Sequence, residues 1–125
     1  MAIVYDATVK NARMDALLAE IDGHASPAYI EIGTAGMATV LATITLAAVS
    51  GVVTGDTLNF TMPKSDADAD ASGTAAAARI RDGGGVDKVT GLSVGTTGAD
   101  INLDSVNITA GQAVTINSGS IQHAA

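Results

Sequence analysis

The spacing of apolar residues changes once along this chain, and that change limits the folds the chain can adopt. Before Pro27, apolar side chains recur at intervals of three and four residues, which is the period of an amphipathic helix. These residues are Met14, Leu17, Leu18 and Ile21. We predict a helix over Asp6–Ile21 that is capped by Asp6 or Thr8 and stopped by Gly23 in a left-handed conformation.

After Pro27, apolar residues alternate with threonine and other polar residues, which is the period of half-buried strands. The candidate strands are Tyr29–Ile32, Thr39–Leu46, Thr57–Met62, Ala75–Arg81, Lys88–Val94, Asp100–Leu103, Gln112–Ile116 and a short one near Ile121. Glycine-containing turns separate them. The pattern predicts a mainly β fold, a jelly-roll-like antiparallel β-sandwich with one N-terminal α-helix. We expect one domain, with residues 1–23 as the N-terminal segment and helix and residues 24–125 as the β-sandwich.

Composition excludes several classes of function. The chain has 125 residues, no cysteine, no tryptophan and only 2% aromatic residues. Disulfide scaffolds, cysteine metal sites and thiol nucleophiles are therefore excluded, and base-stacking platforms are disfavoured. A net charge of −7 disfavours partners such as nucleic acid and anionic membranes. The uncharged stretch between Glu31 and Asp56 is rich in threonine and glycine and has acidic flanks, so we expect strands there and no membrane helix.

Three aspartates alternate with alanine in the segment Pro63–Gly73. Asp66, Asp68 and Asp70 have the spacing of the first ligands of a calcium loop, but alanine stands where such a loop needs its glycine and its bidentate glutamate. We therefore expect an exposed, mobile acidic loop between strands and no metal site, with weak cation binding as the alternative.

The remaining motifs carry little chemistry. We expect His24 and His123 to be surface residues and not catalytic ones. A catalytic histidine would need a hydroxyl nucleophile beside it, and the chain has no Gly-x-Ser-x-Gly nucleophile motif. The run Gly83–Gly85 lacks the Lys-Ser/Thr pair of a phosphate-binding loop and predicts a hairpin turn. The sequence thus predicts no catalytic residue and no cofactor, and a protein that is not an enzyme.

The apolar stripe of the predicted helix must be buried against another surface. In one alternative it packs on the sheet of its own chain, and in the other it docks onto a neighbouring subunit. In the second alternative, the candidate interface residues are Met14, Leu17, Leu18 and Ile21. A small domain rich in threonine, alanine and glycine, without clustered reactive groups, is typical of an assembly component.

Four stretches of the chain are informative as sequence motifs. They are Lys10–Leu17, Ala78–Asp82, Gly91–Leu103 and Ile108–Ile116. In these stretches the chain resembles a family of small structural proteins of bacteriophage virions. The resemblance implies a capsid cement or decoration protein that binds major capsid protein subunits and itself, as a homodimer or homotrimer. It also implies a location on the capsid exterior after assembly in the host cytoplasm.

Charge agrees with an exterior location, since packaged DNA repels a chain with a net charge of −7. One alternative function is a phage tail or head-fibre component involved in host attachment, although the scarcity of aromatic residues disfavours a glycan site. Another alternative, from a different class, is a small hydrolase or a calcium-dependent binder.

Overall fold

The computed structural model describes residues 5–46, 50–54, 56–62 and 64–122. Helix α1 spans Ala7–Ile21, and a short 3-10 turn covers Ala35–Met37. The strands are β1 Tyr29–Gly33, β2 Val40–Thr45, β3 Gly51–Thr54, β4 Thr57–Phe60, β5 Lys64–Asp66, β6 Gly73–Thr74, β7 Ala77–Arg81, β8 Asp87–Gly95, β9 Ile101–Leu103, β10 Asn107–Ile108 and β11 Val114–Gln122. The prediction of a mainly β chain with one N-terminal helix is confirmed. Met1–Val4, Pro63 and His123 lie outside the described residues.

Helix α1 begins where the sequence predicts. Asp6 is its N-cap, and the carboxylate of Asp6 accepts the Thr8 N–H at 3.0 Å. That bond satisfies one of the backbone donors that the first helical turn leaves free. Met14 and Ile21 are buried, and the helix packs on the hairpin formed by β3 and β4.

The end of α1 differs in detail from the prediction. Asp22 follows the helix, and its N–H donates to the Leu18 carbonyl oxygen at 2.9 Å. Gly23 does not adopt a left-handed conformation, so that part of the prediction is wrong. A Cβ at Gly23 would lie 2.9 Å from the Ala19 carbonyl oxygen. Glycine is therefore suited to this position because the chain turns back closely over the helix.

The main sheet has nine strands and is mixed. Its order is β2-β1-β7-β8-β9-β11-β4-β3, and β5 pairs with β11 beside this path. Strands β6 and β10 form a separate two-stranded sheet. Each pair of neighbours is antiparallel except β8 and β9, which are parallel. The expectation of a purely antiparallel architecture is therefore wrong at one pair.

A tight arch over Thr96–Asp100 produces the parallel pair by aligning Val94 with Ile101. Parallel neighbours ordinarily need a connection of a dozen or more residues. Here the Ser93 N–H donates to the Asp100 carboxylate at 3.0 Å, and the Asp100 N–H donates to the Ser93 hydroxyl at 2.9 Å. These reciprocal bonds hold the two ends of the arch together.

The sheet curls until a segment that we call the strap, residues 64–74, crosses the outer edge of β2. The Asp66 carboxylate accepts the Thr43 N–H at 3.1 Å. The Asp70 N–H donates to the Leu41 carbonyl oxygen at 2.8 Å. The strap therefore satisfies backbone groups that an edge strand would otherwise leave open to another chain.

The expectation of an exposed loop over Pro63–Gly73 is confirmed in part: Ser65, Ala67, Asp68, Asp70 and Ser72 are exposed, but Lys64–Asp66 form strand β5 and Ala69 is buried. Ala69 is only 4% exposed, its N–H donates to the Gln112 carbonyl oxygen, and its own carbonyl oxygen accepts the Gly111 N–H. The physical reason is that these two backbone hydrogen bonds hold Ala69 against Gly111 and Gln112, while Asp68 and Asp70 on either side stay exposed.

The inward residues of the strands and the inner face of α1 form a single core. Its fully buried large residues are Ile21, Ile30, Ile32, Leu41, Ile44, Leu58, Ile80, Ile101, Leu103, Val114 and Ile116. Leu41, which interrupts the polar face of the predicted strand, is buried because the strap covers it near Gly73. The glycine-containing segment Asn117–Gly119, where the sequence predicts a turn between Gln112–Ile116 and the short strand near Ile121, instead lies inside β11, where the register shifts between Ile116 and Ser118.

Candidate functional site

The structure places the predicted interface stripe of α1 against the chain itself. Met14 is 3% exposed and Ile21 is fully buried, while Leu17 and Leu18 are half-buried and packed on the core. The stripe thus covers the chain's own sheet, as in the first of the two alternatives. Only the remaining exposed parts of Leu17 and Leu18 are accessible to a second chain, and their contact with a partner stays a prediction.

The opposite face of α1 is also apolar, and it is exposed. We call it the outer face, defined by Val9, Ala12, Ala16 and Ala19. Val9 is 43% exposed, and it is one of the few large apolar residues of the described chain with so much accessible surface. Alanine is the best helix former and is common at exposed helix positions, so the large exposed apolar side chain of this face is that of Val9.

The outer face has the spacing of a helix-packing seam. Its residues follow one another at intervals of three, four and three, which is the a/d spacing of a heptad. This face was not predicted from the sequence, because alanine is a weak apolar signal beside the large side chains of the stripe. The signal that could have found it is this second series, which lies on the other side of the helical wheel from Met14 and Ile21.

Charged residues border the outer face on one side. The Arg13 guanidinium lies 4.2 Å from the centre of the Tyr5 ring. The Glu20 carboxylate lies 3.4 Å from the Lys88 ammonium, yet 72% of the Glu20 side chain is exposed. Arg13 and Glu20 therefore keep accessible charge of opposite sign next to the seam.

Both ends of α1 are fixed to the β3–β4 hairpin. Near its start, the Lys10 ammonium lies 3.9 Å from the Asp56 carboxylate. At its end, the Asp22 carboxylate accepts the Ser50 N–H at 3.2 and 3.3 Å. Helix α1 is thus tied to the sheet at two places.

The loop that follows α1 contacts the turn between β7 and β8. Within that turn, the Asp82 carboxylate accepts the Val86 N–H at 3.0 Å and the Gly84 N–H at 2.9 Å, and the Lys88 ammonium lies 3.7 Å away. The Val86 hydrogen bond is the largest of the effects that lower the pKa of Asp82, although burial of the group opposes the change. Asp82 is therefore a structural carboxylate.

His24 is exposed, as the sequence predicts. Its Nδ1 atom accepts the Ser26 N–H at 3.1 Å, and no described hydroxyl group is hydrogen-bonded to its ring. A cavity of about 130 Å³ lies between Asp22 and Ala28 beside it. That volume is well below the roughly 300 Å³ at which pockets for small-molecule ligands begin.

The three aspartates of the strap do not converge. The Asp66 carboxylate already accepts two backbone N–H groups, from Thr43 and Asp68, and Asp68 and Asp70 are exposed. Within the described residues, no group of three or more histidine, cysteine, aspartate or glutamate side chains is arranged to hold a metal ion. Instead, the Asp66 carboxylate holds the edge of β2 by accepting the Thr43 N–H.

The outward charges of β1, β7 and β8 pair with each other. Glu31 lies 2.6 Å from Arg79 and 3.2 Å from Arg81, and Arg81 also lies 2.6 Å from Asp87. Arginines that are already paired with carboxylates contribute little attraction for phosphate groups.

None of the helices in the described ranges has the length and apolar character needed to cross a lipid bilayer. Comparisons of the chain with protein families, with curated proteins and with solved structures found no match.

Proposed function

We propose that this protein is a structural component of a bacteriophage particle. Within that class, we propose a non-enzymatic capsid cement or decoration protein that binds major capsid protein subunits on the outside of the head. The proposal combines the resemblance of four stretches of the chain to small virion proteins with the acidic net charge of −7. It also includes the finer description of the fold as jelly-roll-like, which is compatible with a sheet that curls around one core.

The observation that carries the proposal is the outer face of α1. An exposed apolar series on a helix that is fixed at Asp56 and Ser50 is a surface suited to docking on another protein. A decoration protein acts through such surfaces, because each contact is repeated many times over a shell and modest affinity per copy is multiplied. The half-buried Leu17 and Leu18 lie on the core-facing side of α1 and do not belong to this face.

The experiment compares particles of the phage that encodes this chain with particles that lack it. We expect the protein in purified wild-type particles, as density on the outer surface of the head in electron cryomicroscopy. We expect the heads that lack it to release DNA at a lower temperature while they adsorb to host cells normally. Added purified protein should restore the original release temperature.

Two outcomes would overturn this proposal. One is intact, heat-stable heads that fail to adsorb, which would favour the tail or head-fibre alternative. The other is absence of the protein from purified particles. A control addition of heat-unfolded protein distinguishes specific binding from a general effect of added protein.

A further inference from the structure

The loop between α1 and β1 rests on the β7–β8 turn through the ring of one histidine. His24 Nδ1 accepts the Ser26 N–H at 3.1 Å, and an imidazole nitrogen can accept a hydrogen bond only while it carries no proton. We infer that His24 is a pH-sensitive latch: its neutral ring holds the loop on the turn, and protonation of the ring releases the Ser26 N–H. This latch belongs to the fold itself and does not depend on the function proposed above.

The loop and the turn approach each other closely at two glycines. A Cβ on Gly83 would overlap the Ser26 carbonyl oxygen. A Cβ on Gly84 would lie 3.0 Å from Cδ2 and 3.1 Å from Nε2 of His24, and 3.3 Å from Oδ1 of Asp82. The His24 ring therefore contacts its own loop through Nδ1 and the turn through its opposite edge.

The positions of the protons explain why this contact depends on pH. Because Nδ1 of His24 is an acceptor, the neutral ring carries its proton on Nε2. The protonated ring has a proton on both nitrogens, so it has two donors and no acceptor. The new Nδ1–H and the Ser26 N–H would then point at each other, and the hydrogen bond breaks. Histidine is the side chain whose charge ordinarily changes between about pH 5 and pH 8, so the loop responds to pH in that range.

The groups around the ring give its protonated form new partners. His24 interacts electrostatically with Asp82 and lines one cavity together with Asp22. A protonated ring that leaves Ser26 therefore has carboxylates of opposite charge nearby, and the loop has two defined states. The charged and titratable side chains around this contact are Glu20 and Asp22 at the end of α1, Tyr29 on β1, Asp82 in the turn and Lys88 on β8.

Nuclear magnetic resonance of the full chain between about pH 5 and pH 8 tests the latch. At the upper end of this range, the nitrogen-15 signals of the His24 ring should show a proton on Nε2 and none on Nδ1. As pH falls, the amide signals of Ser26, Gly83 and Gly84 should shift together, with the same midpoint as the His24 ring.

Two substitutions at His24 reproduce the two states separately. His24→Asn does not titrate but keeps an acceptor, because an asparagine side chain bonds the backbone N–H two residues on. Its Ser26 amide signal should stay at every pH where the neutral wild type has it. His24→Ala has no acceptor, so its Ser26 signal should stay where the wild type arrives at the lowest pH. His123→Asn removes the other histidine of the chain and should titrate like the wild type.

The inference is overturned if the His24 ring titrates while the Ser26 amide signal does not shift. It is also overturned if the Ser26 signal of His24→Asn shifts with pH as much as that of the wild type. Unchanged far-ultraviolet circular dichroism shows that each variant is folded.

Discussion

Individual aspartates stabilise the local structure of this protein by accepting hydrogen bonds from backbone N–H groups. Asp22 accepts from Ser50, Asp66 from Thr43, Asp82 from Val86, and Asp100 from Ser93. The sequence shows these residues as acidic, but the N–H partners of Asp22 and Asp66 lie more than twenty positions away. Such partners cannot be predicted from local patterns, which is why the acidic spacing of the strap suggested an exposed loop.

Asp82 provides a pH-dependent test at this scale. Its pKa is lowered in the folded state, so the stability it contributes is fully present above the unfolded value and is lost as pH falls through the folded one. We expect Asp82→Asn to melt at a lower temperature than the wild type at neutral pH. The difference should disappear between about pH 5 and pH 2.

Thermal unfolding followed by circular dichroism across this pH range measures the effect. Asp104→Asn is a matched control, because the Asp104 carboxylate accepts only the N–H of the adjacent Ser105 among the described contacts. A difference between Asp82→Asn and the wild type that stays constant down to acid pH would contradict the assignment.

At the scale of whole elements, periodicity predicts α1 and the longer strands but not the connections that complete the sheet. The short strands β5, β6 and β10 have too few residues to show a pattern. In the strap, alanine is a weak apolar signal beside three aspartates, so Ala69 was not recognised as a buried residue. The arch between β8 and β9 depends on a reciprocal contact of Ser93 with Asp100, which the composition of a turn does not reveal.

The strap offers a test with an internal control. Asp66→Ala removes the acceptor of the Thr43 N–H and should cost about 1–2 kcal/mol of unfolding free energy. Asp68→Ala removes the same charge from an exposed position and should change stability by less than about 0.5 kcal/mol. Urea unfolding of both variants measures the two costs.

Hydrogen exchange adds a local readout to this comparison. The Thr43 amide should exchange faster in Asp66→Ala than in the wild type, whereas Asp68→Ala should leave it protected. Equal stability of the two variants, with equal protection of Thr43, would show that the strap does not hold the edge of β2.

At the scale of the whole molecule, no group of three or more carboxylates converges among the residues that the structure describes. The strap, whose aspartates have the spacing of a calcium loop, is hydrogen-bonded to the edge of β2. We therefore expect calcium at millimolar concentration to leave the melting temperature unchanged. A site filled at about 100 times its dissociation constant would add roughly 2.7 kcal/mol, which is several degrees for a domain of this size.

Differential scanning fluorimetry with calcium, with magnesium and with a chelator checks this expectation. The variant Asp68→Ala serves as a comparison, since it removes a carboxylate that any cation at the strap would use. A rise in melting temperature that is specific to calcium and absent in Asp68→Ala would establish the site that the geometry argues against.

Strand β11 has a consequence for biosynthesis. It contacts β9 on one side and β4 and β5 on the other, so it joins the two halves of the main sheet. It is also the last strand in the order of translation among the described residues. A nascent chain that has not yet left the ribosome as far as Gln122 therefore carries unpaired edges on β4, β5 and β9, which expose it to aggregation or to chaperones until synthesis passes that point.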